Sequence, residues 1–124
     1  MSISDYAENK ILDAVFSSAS LVVTGDPWVS LHTLDPGEAG ASEVTGGSYV
    51  RKQVPFDPAV SGATANTSAI TWASMPACTV KAVGIWDLVS LGNFLWGGLV
   101  TIDKVLNAGD TFQINTGDLD VTLD

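Results

Sequence analysis

The chain is poor in the residues that most often carry catalysis or hold metals, with one cysteine and one histidine in 124 residues. Cys78 alone cannot close an intramolecular disulfide, and no cysteine and histidine spacing matches a zinc site. A nucleophilic serine normally needs a base, and His32 is the only histidine. His32 and Ser30 share one face of a predicted strand, where such side chains stand about 7 Å apart and parallel. We therefore predict a structural or solvent-facing histidine, no enzyme activity and no cofactor.

Basic residues are also scarce: 5 lysines and arginines stand against 14 acidic residues, for a formal net charge of −9. Nucleic-acid binding needs clustered positive charge that displaces counterions from phosphates, and here the basic residues are scattered. We expect no nucleic-acid partner. The acidity favours solubility, with attraction to a basic partner as the second interpretation. The acids lack the spacing of a calcium-binding loop, so we expect no metal.

Long apolar runs are missing as well. No segment reaches the roughly 18 apolar residues of a membrane span, and the first ten residues contain acids where a secretion signal would carry basic side chains. We expect synthesis in a cytoplasm and no membrane partner. Apolar residues nevertheless make up 46% of the chain and charged residues only 15%, which is typical of a folded domain. This length predicts a single domain.

A helix is predicted over residues 4–16, because Ser4 or Asp5 can cap its free backbone N–H groups. Apolar residues then recur at helical spacing and form one stripe, while the opposite face is polar. The stripe consists of Ala7, Ile11, Leu12, Val15 and Phe16. Such a helix packs one side onto its own sandwich or onto a neighbouring subunit.

After residue 20 the pattern changes to short β-like runs separated by turn residues. We predict strands at residues 21–24, 28–34, 48–56, 68–72, 79–88, 93–101, 111–115 and 118–123. The last two are predicted to form a hairpin, and residues 35–47 and 57–67 to form long exposed loops. The fold class is therefore mostly β: an antiparallel, jelly-roll-like β-sandwich at 21–124, preceded by an N-terminal helix and arm at 1–20.

The candidate partner-binding residues are apolar and aromatic. Tryptophans are frequent anchors at protein interfaces, and an apolar helix stripe is a natural docking face. These candidates are Ile11, Leu12, Val15, Phe16, Trp86 and Trp96. The acids Asp35, Glu38 and Glu43 are candidates in the first long loop.

Several segments together resemble a family of small phage virion structural proteins, described as tail-fibre-like, head-fibre or minor structural proteins. They are SDYAENKILDAVF at 4–16, VSLHTLDPGEAG at 29–40, EVTGGSYVRKQVPF at 43–56, VGIWD at 83–87, NFLWGGLVT at 93–101 and NAGDTFQINTGDLDVTLD at 107–124. The resemblance implies a short helix before a β-sandwich, a place on a virus particle, and no catalytic motif. The stretch at 74–83 departs from the family pattern.

The sequence leaves two alternatives for the location of the protein on the virus particle. The chain lacks a fibrous repeat, a heptad run and a basic patch, so we favour a capsid decoration (cement) protein that binds other virion proteins. The alternative is a tail-fibre or minor tail protein whose loops contact the host. In either case we expect a homo-oligomer, with a trimer as one option. An enzyme acting on surface polysaccharide would need two converging carboxylates, and no recognisable pair is present.

Overall fold

The computed structural model describes residues 1–123, and within them the fold is mostly β with one helix at the N-terminal end. The helix, α1, spans Asp5–Phe16. The strands are β1 (Ser2–Ile3), β2 (Trp28–His32), β3 (Lys52–Gln53), β4 (Ala63–Ala65), β5 (Ile70–Trp72), β6 (Cys78–Trp86), β7 (Phe94–Leu106), β8 (Phe112–Ile114) and β9 (Asp120–Thr122). The predicted class, an antiparallel sandwich-like fold preceded by a short helix, is confirmed.

A five-stranded antiparallel sheet in the order β1-β7-β6-β2-β3 forms the main layer. Two antiparallel ribbons, β4-β9 and β5-β8, supply the remaining strands. The β6–β7 hairpin is interrupted, because Val80 pairs with Lys104 whereas Ala82 pairs with Leu99. Four residues of β7 therefore lie opposite Lys81 alone, which makes a wide bulge.

The core lies between the main sheet and the ribbons. Its largest fully buried side chain is Trp72, whose indole N–H donates to the Val50 carbonyl at 2.9 Å. That hydrogen bond lets a polar N–H enter an apolar interior without being left unpaired. The buried cluster consists of Val29, Leu31, Val44, Val54, Ile70, Trp72, Met75, Val80, Val83, Leu106 and Leu119.

Several strand predictions were wrong. Residues 21–24 form no strand, the strand predicted at 48–56 is reduced to β3, and residues 57–67 contain β4. The predicted C-terminal hairpin does not form, since β8 pairs with β5 and β9 pairs with β4. The buried Asn66 side chain stabilises this arrangement, because it donates to the Asn115 carbonyl at 3.0 Å and accepts from the Leu119 N–H at 2.9 Å. The chain still turns between the two strands, where the Asp118 N–H donates to the Asn115 carbonyl at 3.1 Å, but β8 and β9 then lie against different partners.

The first predicted loop is also less exposed than expected, because residues 36–44 fold back onto β2. The Val44 N–H donates to the Leu31 carbonyl at 2.9 Å, and Glu43 forms a bridge with His32. Gly40 has a φ of +73° and packs against the Trp86 ring, where a Cβ atom would overlap the indole. Only glycine suits this combination of left-handed backbone and close approach.

Within residues 1–123, no helix combines the length and apolar character needed to cross a bilayer.

Candidate interaction surface

The first turn of α1 is firmly attached to the start of β7 through Ser4. The Ser4 N–H donates to the Leu95 carbonyl at 2.8 Å, and its hydroxyl donates to the Phe94 carbonyl at 2.6 Å. The same hydroxyl accepts from the Ala7 N–H at 3.2 Å, which caps the helix as predicted. The N–H of Asp5 donates to the Glu38 carboxylate at 2.7 Å. The predicted loop acid Glu38 thus holds the helix start.

The rest of α1 leaves its apolar stripe uncovered. Ala7 is its only buried residue, whereas Leu12 is 53%, Val15 66% and Phe16 79% exposed. Ile11 is half-buried. Of the two alternatives for this stripe, packing onto the sandwich of the same chain holds for Ala7 and in part for Ile11. Leu12, Val15 and Phe16 are left uncovered by the described residues of this chain.

The segment after the helix, residues 21–25, crosses the surface as a strap without regular structure. Leu21 is 50%, Val22 79% and Val23 49% exposed. Among the residues that the structure describes, none hydrogen-bonds with the backbone N–H and C=O groups of this strap. In the sequence, residues 21–24 were predicted to form a strand because of their apolar, β-branched composition.

Beside the strap lies an open groove of about 370 Å³, lined by apolar side chains and carrying no charged residue. Its lining includes Val23, Phe56, Ile85, Trp96, Val121 and Leu123. The indole N–H of Trp96 is buried and has no acceptor among the residues that the structure describes. Ile11, the strap and Trp96 also share a smaller cavity, whose lining includes the charged residues Lys10 and Asp87. We call the exposed helix end, the strap and the groove together the arm surface.

The two candidate tryptophans lie in different places. In the register of the β6–β7 hairpin, Trp96 pairs with Ile85, and Trp86 pairs with Phe94, so the tryptophans do not meet. Trp86 is only 7% exposed, with the edge of Phe94 at a centroid distance of 5.1 Å and the Arg51 guanidinium 3.6 Å from its ring centroid. Trp86 is therefore part of the interior and offers no surface to a partner.

Arg51 joins three parts of the chain. Its guanidinium donates to both carboxylate oxygens of Glu43, at 3.0 and 2.8 Å, and to the carbonyls of Leu88 and Leu91 at 3.0 and 2.9 Å. Tyr49 adds a hydrogen bond to Glu43 at 2.8 Å. The predicted loop acid Glu43 is thus half-buried and holds the turn between β6 and β7 in place.

The environment of Glu43 shifts ionisation in a consistent way. Burial alone would raise the pKa of Glu43, but the hydrogen bonds and charge of Arg51 and the Tyr49 hydroxyl outweigh it and hold that pKa below its usual value. Burial, together with the neighbouring carboxylate, raises the pKa of Tyr49. The carboxylate therefore stays charged and the phenol stays neutral at physiological pH.

Ser30 and His32 approach more closely than their spacing predicts, with the Ser30 hydroxyl 2.7 Å from Nε2 of His32. Nδ1 of His32 lies 2.7 Å from the Ala41 carbonyl, so that nitrogen carries the proton and Nε2 accepts from Ser30. The Trp86 indole N–H in turn donates to the Ser30 oxygen at 2.9 Å. Both residues have 0% exposure, and burial lowers the pKa of His32. This is the geometry of a buried hydrogen-bond chain, with no path to a substrate.

The remaining loop candidate, Asp35, is exposed and accepts from the Gly37 N–H at 2.9 Å, which makes it a turn residue. Within residues 1–123, no three of histidine, cysteine, aspartate and glutamate are grouped so as to hold a metal ion. Exposed apolar residues also occur at the β6–β7 turn, at Leu91 (85%), and on the bulge of β7, at Ile102 (81%). Leu88 and Val89 beside Leu91, and Leu99 and Val105 on β7, are exposed as well. The cavity at the turn is lined by the charged residues Glu43 and Arg51, unlike the groove beside the strap.

Comparison with known proteins gives one family. The model of the family described as "Podophage GP4 fiber I protein gp80" matches residues 2–122. No curated protein matches the chain. The match covers the helix, the strap and all nine strands, so it accounts for the whole described fold. This chain therefore belongs to the Podophage GP4 fiber I protein gp80 family, a family of phage virion structural proteins.

Proposed function

We propose that the protein is a subunit of a phage fibre and that it contributes to the particle by binding neighbouring virion subunits. The family match over residues 2–122 is the observation that carries this proposal. The description of the family supports a role as a fibre subunit. It offers no support for the capsid decoration role that we favoured from the sequence.

The arm surface is the region best suited to that binding. Soluble proteins seldom leave a contiguous apolar patch uncovered unless another molecule docks there. Here the helix candidates Ile11, Leu12, Val15 and Phe16 are followed, after the four residues 17–20, by the strap. Trp96 lines the adjacent groove. The buried ion pair of Arg51 and Glu43, by contrast, stabilises the body that carries this surface.

A charged or catalytic site is less well supported. Ser30 and His32 are buried, and the acids among residues 1–123 are not grouped into a metal site. The chain has a net charge of −9, but the helix end, the strap and the groove lining contain no acidic residue apart from Asp13, which lies on the polar face of α1. This distribution is consistent with binding through shape and apolar contact.

Gold-labelled antibody against an epitope tag on the protein, viewed by electron microscopy of purified virions, tests the proposal. We expect label on fibres, and none on untagged virions prepared in the same way. Label spread evenly over the head would instead establish a decoration protein. Absence of label from tagged virions that retain infectivity would overturn the proposal that the protein is part of the particle.

A further inference from the structure

His32 holds the loop at residues 36–44 onto the main sheet, and it does so as a neutral imidazole. The Ala41 carbonyl can only accept, so Nδ1, which lies 2.7 Å from it, carries the proton and Nε2 is left as an acceptor. The Trp86 indole N–H can only donate, so it bonds to a lone pair of the Ser30 oxygen, and the Ser30 hydroxyl donates to Nε2. Each proton in this chain of hydrogen bonds therefore has one possible position.

A second proton on the imidazole does not fit this arrangement. The new Nε2–H would have to donate to the Ser30 oxygen, which would turn the Ser30 hydroxyl proton away from the ring. No other acceptor for that proton lies within hydrogen-bonding distance among residues 1–123, and Ser30 has 0% exposure. A closed loop over a charged His32 would therefore bury both an imidazolium and an unpaired hydroxyl, and each is costly in free energy.

Burial lowers the pKa of His32, and the groups around the ring do not offset it. On the loop side, the Ala41 carbonyl and Glu43 favour the charged imidazole, whereas Arg51 disfavours it. The Glu43 carboxylate is already paired with Arg51 and bonded to the neutral Tyr49 hydroxyl. β6 and β7 face the ring with uncharged groups, the backbone of one glycine and the edge of one phenylalanine.

The 36–44 loop is the part of the structure that can open to admit a proton. Residues 37–42 are exposed except for Gly40. Besides the His32 bond, the loop is held by the Thr33 N–H, which donates to the Ser42 carbonyl at 3.0 Å, and by the Val44 N–H, which donates to β2 at 2.9 Å. Opening the loop would hydrate the ring and leave β2 paired with β6.

The same loop anchors the start of α1. The Glu38 carboxylate accepts from the Asp5 N–H at 2.7 Å. Opening the loop would break this bond and leave the helix attached to β7 through β1 and the Ser4 bonds. Proton uptake at His32 is thereby coupled to the helix that carries the exposed apolar stripe.

We propose that His32 is a pH-sensitive switch: proton uptake at Nε2 opens the 36–44 loop and loosens the start of α1. The closed loop requires a neutral ring, whereas an open loop takes up the proton below the ordinary imidazole pKa of 6.5. The ratio of open to closed loops should therefore rise by up to about tenfold between pH 7.5 and 5.5. The inference goes beyond the proposed function and does not depend on where the protein sits on the particle.

Hydrogen–deuterium exchange of the full chain, followed by NMR and corrected for intrinsic exchange rates, measures the opening. We expect the protection of the Thr33 and Ala41 amides to fall by up to about tenfold from pH 7.5 to 5.5. The amides of β6, which is paired on both sides, should be better protected than these at every pH. Loop amides that stay as well protected as β6 at pH 5.5 would overturn the proposal, because His32 would then take up its proton only on global unfolding.

The ring itself gives a second readout, because His32 is the only histidine and its signals are unambiguous. Nitrogen chemical shifts should show a proton on Nδ1 and none on Nε2 while the loop is closed. A charged ring at pH 5.5 in a chain whose loop amides are still protected would refute the switch.

Glu38→Gln is the matched control for His32→Gln, since it removes a different titratable group of the same loop. We expect the pH dependence of loop exchange to persist in Glu38→Gln and to vanish in His32→Gln, with circular dichroism showing that each variant is folded. Persistence in a folded His32→Gln chain, or loss in Glu38→Gln, would contradict the proposal. If His32→Gln does not fold, the wild-type exchange, the ring shifts and Glu38→Gln decide the question.

Discussion

Replacing Glu43 with glutamine tests whether the half-buried ion pair with Arg51 stabilises the fold. The side chains of Arg51 and Glu43 are only 7% and 24% exposed. Removing one partner of a buried pair typically costs about 3–5 kcal/mol, because the other charge is left without compensation. Arg51 would keep the Leu88 and Leu91 carbonyls, and glutamine would keep one acceptor oxygen. We therefore expect a loss at or below the lower end of that range, about 2–3 kcal/mol in the free energy of unfolding.

Asp103→Asn is the matched control, since it also removes one negative charge from an ion pair. Lys81 and Asp103 are 3.9 Å apart and 41% and 57% exposed, so their pair contributes less than about 1 kcal/mol. Urea unfolding followed by tryptophan fluorescence measures both variants, and Trp86 beside Arg51 reports directly on the site. A Glu43→Gln chain that loses no more stability than Asp103→Asn would refute the reasoning.

Three further predictions concern the same body and its arm. His32 has a lowered folded pKa and is the only histidine, so the unfolded chain takes up a proton first as the pH falls below its ordinary 6.5. The free energy of unfolding should therefore fall between about pH 7.5 and 5.5, and His32→Gln should remove that slope; an unchanged slope would contradict the assignment. Gly40→Ala should cost more than Gly37→Ala in thermal unfolding, because both glycines have positive φ but only Gly40 meets the Trp86 ring. Equal losses would show that sterics play no part. Ser4→Ala removes the helix cap and the Phe94 carbonyl bond, so we expect about 1–2 kcal/mol lower stability and faster proteolysis within the strap. Unaltered cleavage would argue against Ser4 as the anchor.

The sequence predicted the helix and the central strands because their signals are local. The Ser4 cap and the helical spacing after it place α1 at Asp5–Phe16, and the apolar runs around Leu31, Val83 and Trp96 match β2, β6 and β7. The strand at residues 21–24 failed for a different reason. Strand propensity needs a neighbouring strand, and the described chain places none beside this segment.

Local sequence patterns could not predict which strands pair with the two C-terminal strands. The hairpin predicted from the alternation of β8 and β9 is replaced by pairing with β5 and β4, and the Asn66 amide that bonds to the connection between them lies 49 residues from Asn115. Similarly, Arg51 reaches carbonyls 37 and 40 residues away. Single polar side chains that close long loops carry no periodicity, so sequence patterns do not reveal them.

The sequence predicted one part of the candidate surface, the helix stripe, but not the rest. The stripe from Ile11 to Phe16 was identified as a docking face, and most of it is exposed. Trp86 was proposed as an anchor but is buried, because its pairing with Phe94 turns it toward Arg51. Residues 21–24 of the strap were predicted to form a strand of the β-sandwich. Which apolar residues remain uncovered depends on how the whole chain packs.

Incorporation into virions tests most directly the claim that the protein is a structural subunit held by its arm surface. A phage lacking the gene is complemented with the wild-type chain, Val22→Asp or Ile102→Asp, and the amount of each in purified particles is measured by quantitative mass spectrometry. We predict that Ile102→Asp enters particles like the wild type and that Val22→Asp is largely lost. Equal incorporation of both variants would contradict the account.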